Sequence, residues 1–186
     1  VWQRAVLGSE DDPESLISQQ IRYWSVELAD LPDELVLPVD RVRPAVASFG
    51  GGRVTVDVSA DVQQRLIVLG RKHNASVFMV LHGALAVLLA RLSGTDDVAI
   101  GTPIAGRGEQ ALDDLVGMFV NTLVLRSRVD GGESFTDFLG RVRETDLAAF
   151  GHADVPFERL VEVLNPARSQ ARHPLFQVVL SVQNLD

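Results

Sequence analysis

The residues of this chain that could do chemistry are few and scattered. Four histidines stand at 73, 82, 152 and 173. No two share the helical spacing that turns a pair of imidazoles toward one zinc ion, so the histidines do not announce a metal centre. His82 falls in the apolar run from Val77 to Ala90 and is expected to be a hydrogen-bonded core histidine. His73 suits an exposed helix end, and His173, just before Pro174, suits a turn. His152 is different, because Asp154 follows two residues later, ahead of Pro156-Phe157. A histidine beside a carboxylate suits acid–base work, and an aspartate before a short helix suits an N-cap; the residues alone leave both open. No serine occupies a Gly-x-Ser-x-Gly elbow, so a hydrolase lacks its nucleophile signature. Asp96-Asp97 and Asp113-Asp114 are sequence neighbours that do not face one another, and both pairs are expected to be solvated loop charges.

A second candidate is the stretch from Gly101 to Gly108, which opens with the Gly-x-x-x-x-Gly spacing of a phosphate loop. That loop requires Lys and then Ser or Thr to reach phosphates and magnesium. Here Arg107 and Gly108 stand in those places, and Pro103 removes one amide donor. Nucleotide binding is set aside on that departure. Gly50-Gly51-Gly52 precedes a strand pattern instead of following one, so it is not a dinucleotide fingerprint. The Gly/Pro loop is better explained as backbone-specified: glycine permits close approach and proline stiffens the turn. It separates two apolar strand-like runs, Val98 to Ile104 and Val116 to Arg126, whose polar ends, Asn121 among them, could line a cavity.

The elements that must hold these residues can be read from periodicity. Asp12-Pro13 has the form of a helix start, with Asp as N-cap, and Ile17, Ile21, Trp24 and Leu28 make one apolar stripe before Leu31-Pro32 ends it. Leu35 to Pro44, with prolines at 38 and 44, is expected to run extended over the surface. Val54-Thr55-Val56-Asp57-Val58 alternates strictly and predicts a strand with one buried face. Ser59 and Ser76 suit N-caps of two helices, the second apolar nearly all round and therefore a core helix, stopped by Gly94. Ser134 with Asp137 resembles a capping pair for a helix carrying Phe135, Phe138, Leu139 and Val142. A short helix to Leu164 and a final strand, Leu175 to Val182, complete the order. Strand, two helices, paired strands, two helices, strand is an α/β arrangement, a mixed β-sheet covered by helices.

At 186 residues with 46% hydrophobic content, the chain suits one large domain or a lobe of a larger one. A net charge of −8 argues against a nucleic-acid partner, since phosphate binding needs clustered Lys and Arg. The absence of cysteine rules out disulfides and thiolate metal sites within these residues and fits a reducing compartment. The longest apolar run falls short of the roughly 20 residues a membrane span needs. A soluble, cytoplasmic chain without a membrane partner is expected. It starts on Val1 without a signal-peptide pattern, and both ends fall in what looks like the middle of an element, which predicts a piece of a longer protein.

Several separated motifs, taken together and in order, resemble the condensation domains of non-ribosomal peptide synthetases. Val1-Trp2 is similar to the end of the tyrosine-rich motif with which that family leaves its catalytic lobe. Tyr23-Trp24 and the stretch from Leu37 to Pro44 resemble the family's next segment. Ile100 to Arg107 and Gly117 to Leu123 match the family's central motif, His152 to Glu158 the next, and Arg172 to Phe176 with Val182 to Asn184 the last. The resemblance implies a chloramphenicol-acetyltransferase-like fold of two lobes with a tunnel between them. It places residues 1–44 as inter-lobe helix and connector and residues 45–186 as the C-terminal lobe, lacking its last strands.

The activity implied is amide-bond formation between two carrier-protein-bound aminoacyl or peptidyl thioesters, in a secondary-metabolite synthetase, with neither metal nor ATP in this step. No cofactor is implied as bound directly; phosphopantetheine arms arrive on upstream and downstream peptidyl carrier domains, beside an adjacent adenylation domain. The family's His-His-x-x-x-Asp-Gly motif does not occur in this sequence. The resemblance therefore implies a missing N-terminal catalytic lobe and an isolated chain without activity, and no catalytic residue is assigned here. Trp2, Gly101, Pro103, Arg107, Asn121, His152 and Asp154 are the residues placed as tunnel wall or structural support. Two rivals remain open: a non-catalytic carrier-docking or scaffold lobe, and a free-standing acyltransferase of the same fold.

Overall fold

The computed structural model describes residues 2–107, 112 and 114–183, with the side chains of residues 2–4 outside that description. The order is α1 (Trp2–Leu7), α2 (Leu16–Glu27), α3 (Ala60–Lys72), α4 (Val77–Ser93), β1 (Asp97–Ile104), β2 (Asn121–Arg128), α5 (Phe135–Gly151), α6 (Phe157–Leu164) and β3 (Val178–Val179). The three strands form one mixed sheet in the order β2-β1-β3. β1 and β2 are antiparallel, with Asp97 opposite Arg128 and Ile104 opposite Asn121. β3 lies parallel to β1 on its other side.

Local sequence explains most helix starts. Ser59, Ser76 and Ser134 each accept a hydrogen bond at the side-chain oxygen from an amide three residues on, as their spacing predicts. Gly94 ends α4 at φ +71°, a left-handed position that glycine takes without strain. The expected cap of α2 is corrected. Asp12 instead closes the preceding turn, its carboxylate accepting from Glu14 N and its carbonyl from Ser15 N. Ser15, buried, caps the helix by accepting from Ser18 N.

Helices cover both faces of the sheet. Leu7, Ile17, Trp24 and Leu28 pack with Leu123, Leu125, Val155, Leu160 and Phe176 on one side. Met79, Val80, Ala86 and Leu89 of α4 pack with Val98, Ile100, Leu139 and Val142 on the other. The core-helix expectation for α4 holds for that face only, since Leu88 and Leu92 stay exposed. Three strand expectations also change. The final strand, expected over Leu175 to Val182, pairs with β1 only at Val178–Val179. Val116 to Val120 precede β2 as exposed or half-exposed irregular chain. Residues 53–58 form no strand among the described residues, because no neighbouring backbone lies alongside to pair with them.

Candidate functional site

Asn121 opens β2 and spends three of its four amide bonds on one loop. Its Nδ2 donates to the carbonyls of Ala153 (3.0 Å) and Val155 (2.8 Å). Its Oδ1 accepts from Phe157 N (2.9 Å) and Thr122 N (2.8 Å). The bond from Phe157 does what an N-cap would do, for Pro156 at the cap position has no side-chain acceptor to offer α6. Of the two roles open for Asn121, cavity wall or support for neighbouring backbone, the structure shows the second.

The same loop is gripped from α2. Gln20, buried, donates from Nε2 to Asp154 Oδ2 at 2.7 Å and accepts from Asp154 N at 3.0 Å. Asp154 therefore does not cap α6; its carboxylate is turned to α2. Trp24 donates its indole N–H to the carbonyl of His152 (2.8 Å). The Tyr23 ring stacks on the His152 imidazole at 3.9 Å and 9°. His152 Nδ1 lies 2.7 Å from the Ala148 carbonyl, so that nitrogen carries the proton and donates. From the far side, Phe157 stacks on His173 at 5.2 Å, and His173 meets Phe176 at 4.4 Å. Runs more than 100 residues apart thus meet on the segment from His152 to Phe157. Held this way, His152 and Asp154 are brought to one loop as packing and hydrogen-bonding partners of α2.

The Gly/Pro loop is also built for close fit. A Cβ on Gly101 would lie 2.4 Å from the Phe176 ring, so only glycine lets that ring cross β1. The Gly101 carbonyl accepts from Leu180 N on the β3 side. By strand alternation Pro103 faces the same side, past the end of β3, where its missing N–H costs no ladder bond. Gly106 takes φ +64°, and a Cβ there would collide with the Phe119 carbonyl at 1.7 Å. Arg107 donates to the carbonyls of Leu112 and Leu115, and its guanidinium lies 4.2 Å over the Phe119 ring. Arg107 ties its own loop together. Gly108 and Asp113 lie outside the described residues, as does the side chain of Trp2, whose backbone begins α1.

Two polar clusters escaped sequence reasoning. Asp97, expected to be a solvated loop charge, forms a two-pronged pair with Arg126, at 2.8 Å from Nε and 2.6 Å from Nη2. Arg126 Nη1 also donates to the carbonyls of Glu27 (2.8 Å) and Ala29 (2.7 Å), fastening the end of α2 to the sheet. The Asp97 contact pushes the guanidinium's proton affinity further up. The one hint in the sequence was an Arg closing an apolar run. The second cluster is a buried Ser-His-Asp set. His82 Nδ1 lies 2.9 Å from Asp146 Oδ1, and its Nε2 is 3.5 Å from Ser127 Oγ. His82 and Asp146 are fully buried and Ser127 nearly so, which leaves a substrate no approach. The core-histidine expectation for His82 is met. Nearby, burial pushes the Tyr23 phenol up, with the charges of Glu27 and Asp146 adding to it.

Chemically, the residues around the loop from His152 to Phe157 orient backbone, and the hydroxyl–imidazole–carboxylate set at Ser127, His82 and Asp146 is sealed in the core. Among the described residues no cluster of three or more His, Cys, Asp or Glu could hold a metal ion. A shallow surface dent, too small for more than a water or so, lies between Leu31, Pro32, Glu34, Leu35, Leu175 and Gln177, and neither Asn121 nor the Gly/Pro loop lines it. No single helix among the described residues is long and apolar enough to cross a membrane.

The chain belongs to the condensation-domain family, whose model, described as "Condensation domain", matches residues 1–186. It is 53% identical over 184 residues to a dimodular nonribosomal peptide synthase of Bacillus subtilis (strain 168), covering 99% of this chain and 8% of that protein. It is 51% identical over 184 residues to an isonitrile lipopeptide synthase of Mycobacterium tuberculosis, covering 99% of this chain and 7% of that one. The crystal structure of the X-domain from teicoplanin biosynthesis superposes with a TM-score of 0.88 at 34% identity, covering 96% of this chain and 40% of that one. The mixed sheet with its helices is the condensation-domain fold. The chain spans less than a tenth of each of these two synthetases.

Proposed function

We propose that this chain is the second lobe of a condensation domain that, with an upstream lobe, joins two carrier-bound thioesters through an amide bond. The amine of the downstream aminoacyl carrier attacks the upstream thioester carbonyl. A C–N bond forms, the C–S bond breaks, the upstream phosphopantetheine thiol leaves, and the amine gives up a proton. This lobe contributes no paired histidines. Its part is to hold walls and backbone so that two long arms meet in a reactive geometry, which makes the step effectively intramolecular. The carrier domains and an adenylation domain are its partners within the synthetase.

The observation that carries this reading is the convergence on residues 152–157. The family-like runs at Tyr23-Trp24, Asn121, His152 to Phe157 and His173 to Phe176 have no common neighbourhood in sequence, yet they share one in space. The experiment is single-turnover transfer with the complete synthetase, both carriers loaded, read by mass spectrometry of the downstream carrier. The expected result is an extended acyl chain on that carrier, slowed by Asn121→Ala, and none when the 186-residue chain alone is supplied with both carriers. Transfer by the 186 residues alone would overturn the division of labour. A correctly loaded synthetase that never extends the downstream carrier would favour a scaffold lobe.

A further inference from the structure

Leu175 is a buried leucine in the left-handed backbone region that favours glycine, at φ +67°. The other non-glycine residues with positive φ among the described residues, Asp30, Phe49, Asn74 and Asn165, are all exposed. Phe176 N donates to the Pro174 carbonyl at 2.9 Å, so an i→i+2 bond closes over Leu175. Positive φ under such a bond is the rare, strained form of γ-turn, and that strain persists only where the surroundings hold it. The turn carries the Phe176 ring over Gly101 and sets His173 against Phe157. Gln177 braces it from the far end. Its Nε2 donates back to the His173 carbonyl at 3.2 Å, while its Oε1 accepts from Leu35 N at 2.7 Å.

Leu35 belongs to a strap, residues 34–47, that lies along residues 170–177. Besides the Leu35 bond, Glu34 pairs with Arg172 at 3.0 Å, Arg43 Nη1 donates to the Ala171 carbonyl at 3.3 Å and Ala47 N to the Gln170 carbonyl at 2.8 Å. We infer that Gln177 is a positioning residue: through its amide the strap keeps the Leu175 turn in its strained form, and the turn in turn fixes the loop from His152 to Phe157. The path is one of continuous contact. It runs from the strap to Gln177, to His173, and to Phe157, whose ring stacks on His173 at 5.2 Å and whose amide donates to Asn121. A strained turn suits the task because it has two discrete arrangements. With the strap seated the turn is held; with the strap lifted, Leu175 is free to return to an ordinary φ, drawing His173 and Phe176 with it. One primary amide makes both bonds, so an acceptor alone cannot replace it. This rests on the proposed function only in taking the 152–157 loop as part of the wall that orients the two arms.

The test uses the complete synthetase, with amide hydrogen exchange and condensation measured on each sample. Gln177→Glu keeps an acceptor for Leu35 N and loses the donor to His173. It is expected to leave the Leu35 amide protected and to speed exchange at Phe176 and Phe157 at least about tenfold. It should also lower kcat about tenfold, with KM for both loaded carriers unchanged. The strap-side variant Glu34→Gln/Arg43→Ala alters no residue from 152 to 177 and is expected to speed the same two amides. Arg65→Ala removes an exposed pair with Asp61 elsewhere on the surface and is expected to change neither readout. Unchanged exchange at Phe157 in the first two variants overturns the inference. So does faster exchange with an unaltered kcat in a synthetase that transfers, which would make Gln177 a structural residue only. A wild-type synthetase that never extends the downstream carrier sinks the proposed function alone, and exchange at Phe157 still decides whether the strap reaches the loop.

Discussion

Replacing Asn121 with alanine should cost the domain about 3 kcal/mol of stability, because four hydrogen bonds end on that one amide. The substitution strands the carbonyls of Ala153 and Val155 and the amides of Thr122 and Phe157. Each bond is worth about 1 kcal/mol net, and a stranded buried group costs more than that. Asn121 is only half-buried, so water reaches some of these groups and the sum falls below the upper limit. The loss should be local first. The Phe157 amide should exchange faster, and the fluorescence of Trp24, whose indole holds the His152 carbonyl, should shift. Urea unfolding of the domain gives the free energy, and the Gln20→Ala variant supplies a cycle. Gln20 and Asn121 grip the same loop from opposite sides, so the double variant should depart from additivity by more than about 0.5 kcal/mol. A loss under about 0.5 kcal/mol for Asn121→Ala, with an unchanged Phe157 exchange rate, would refute the claim that this amide organises the site.

Arg126→Ala should be costlier still, about 3 to 5 kcal/mol by urea unfolding, because it leaves Asp97 without its partner and frees the end of α2. Gly101→Ala should destabilise by about 1 to 3 kcal/mol through collision with Phe176, and Phe176→Leu should recover part of that loss in the double variant. Burial pushes the Glu27 carboxyl above its ordinary 4.5, against the pull of Arg126 and Arg128. The folded state then keeps the proton to higher pH than the unfolded state, so stability falls as pH rises from about 4.5 through the folded value. Glu27→Gln should match wild type below that window and exceed it above, checked by thermal melts across the acid range.

What sequence alone determined here is whatever depends on residues a few positions apart. Ser59, Ser76 and Ser134 cap helices through an amide three residues on, so a local motif was enough. Gly94 stops α4 for an equally local reason. The resemblance identified the family because its motifs keep their order along the chain, whatever they do in space. Tertiary structure decided everything that depends on a distant partner. Asp154 and Gln20 are 134 residues apart, and nothing in either neighbourhood favours that bond over a helix cap. Asp97 looked solvated until Arg126, 29 residues on, arrived across the antiparallel pair. Asp12 gave way to Ser15 because two acceptors competed for one helix start and the turn took the first. Residues 53–58 make the limit plainest. Alternation can specify a strand's faces, but a strand exists only where a second backbone supplies its hydrogen bonds.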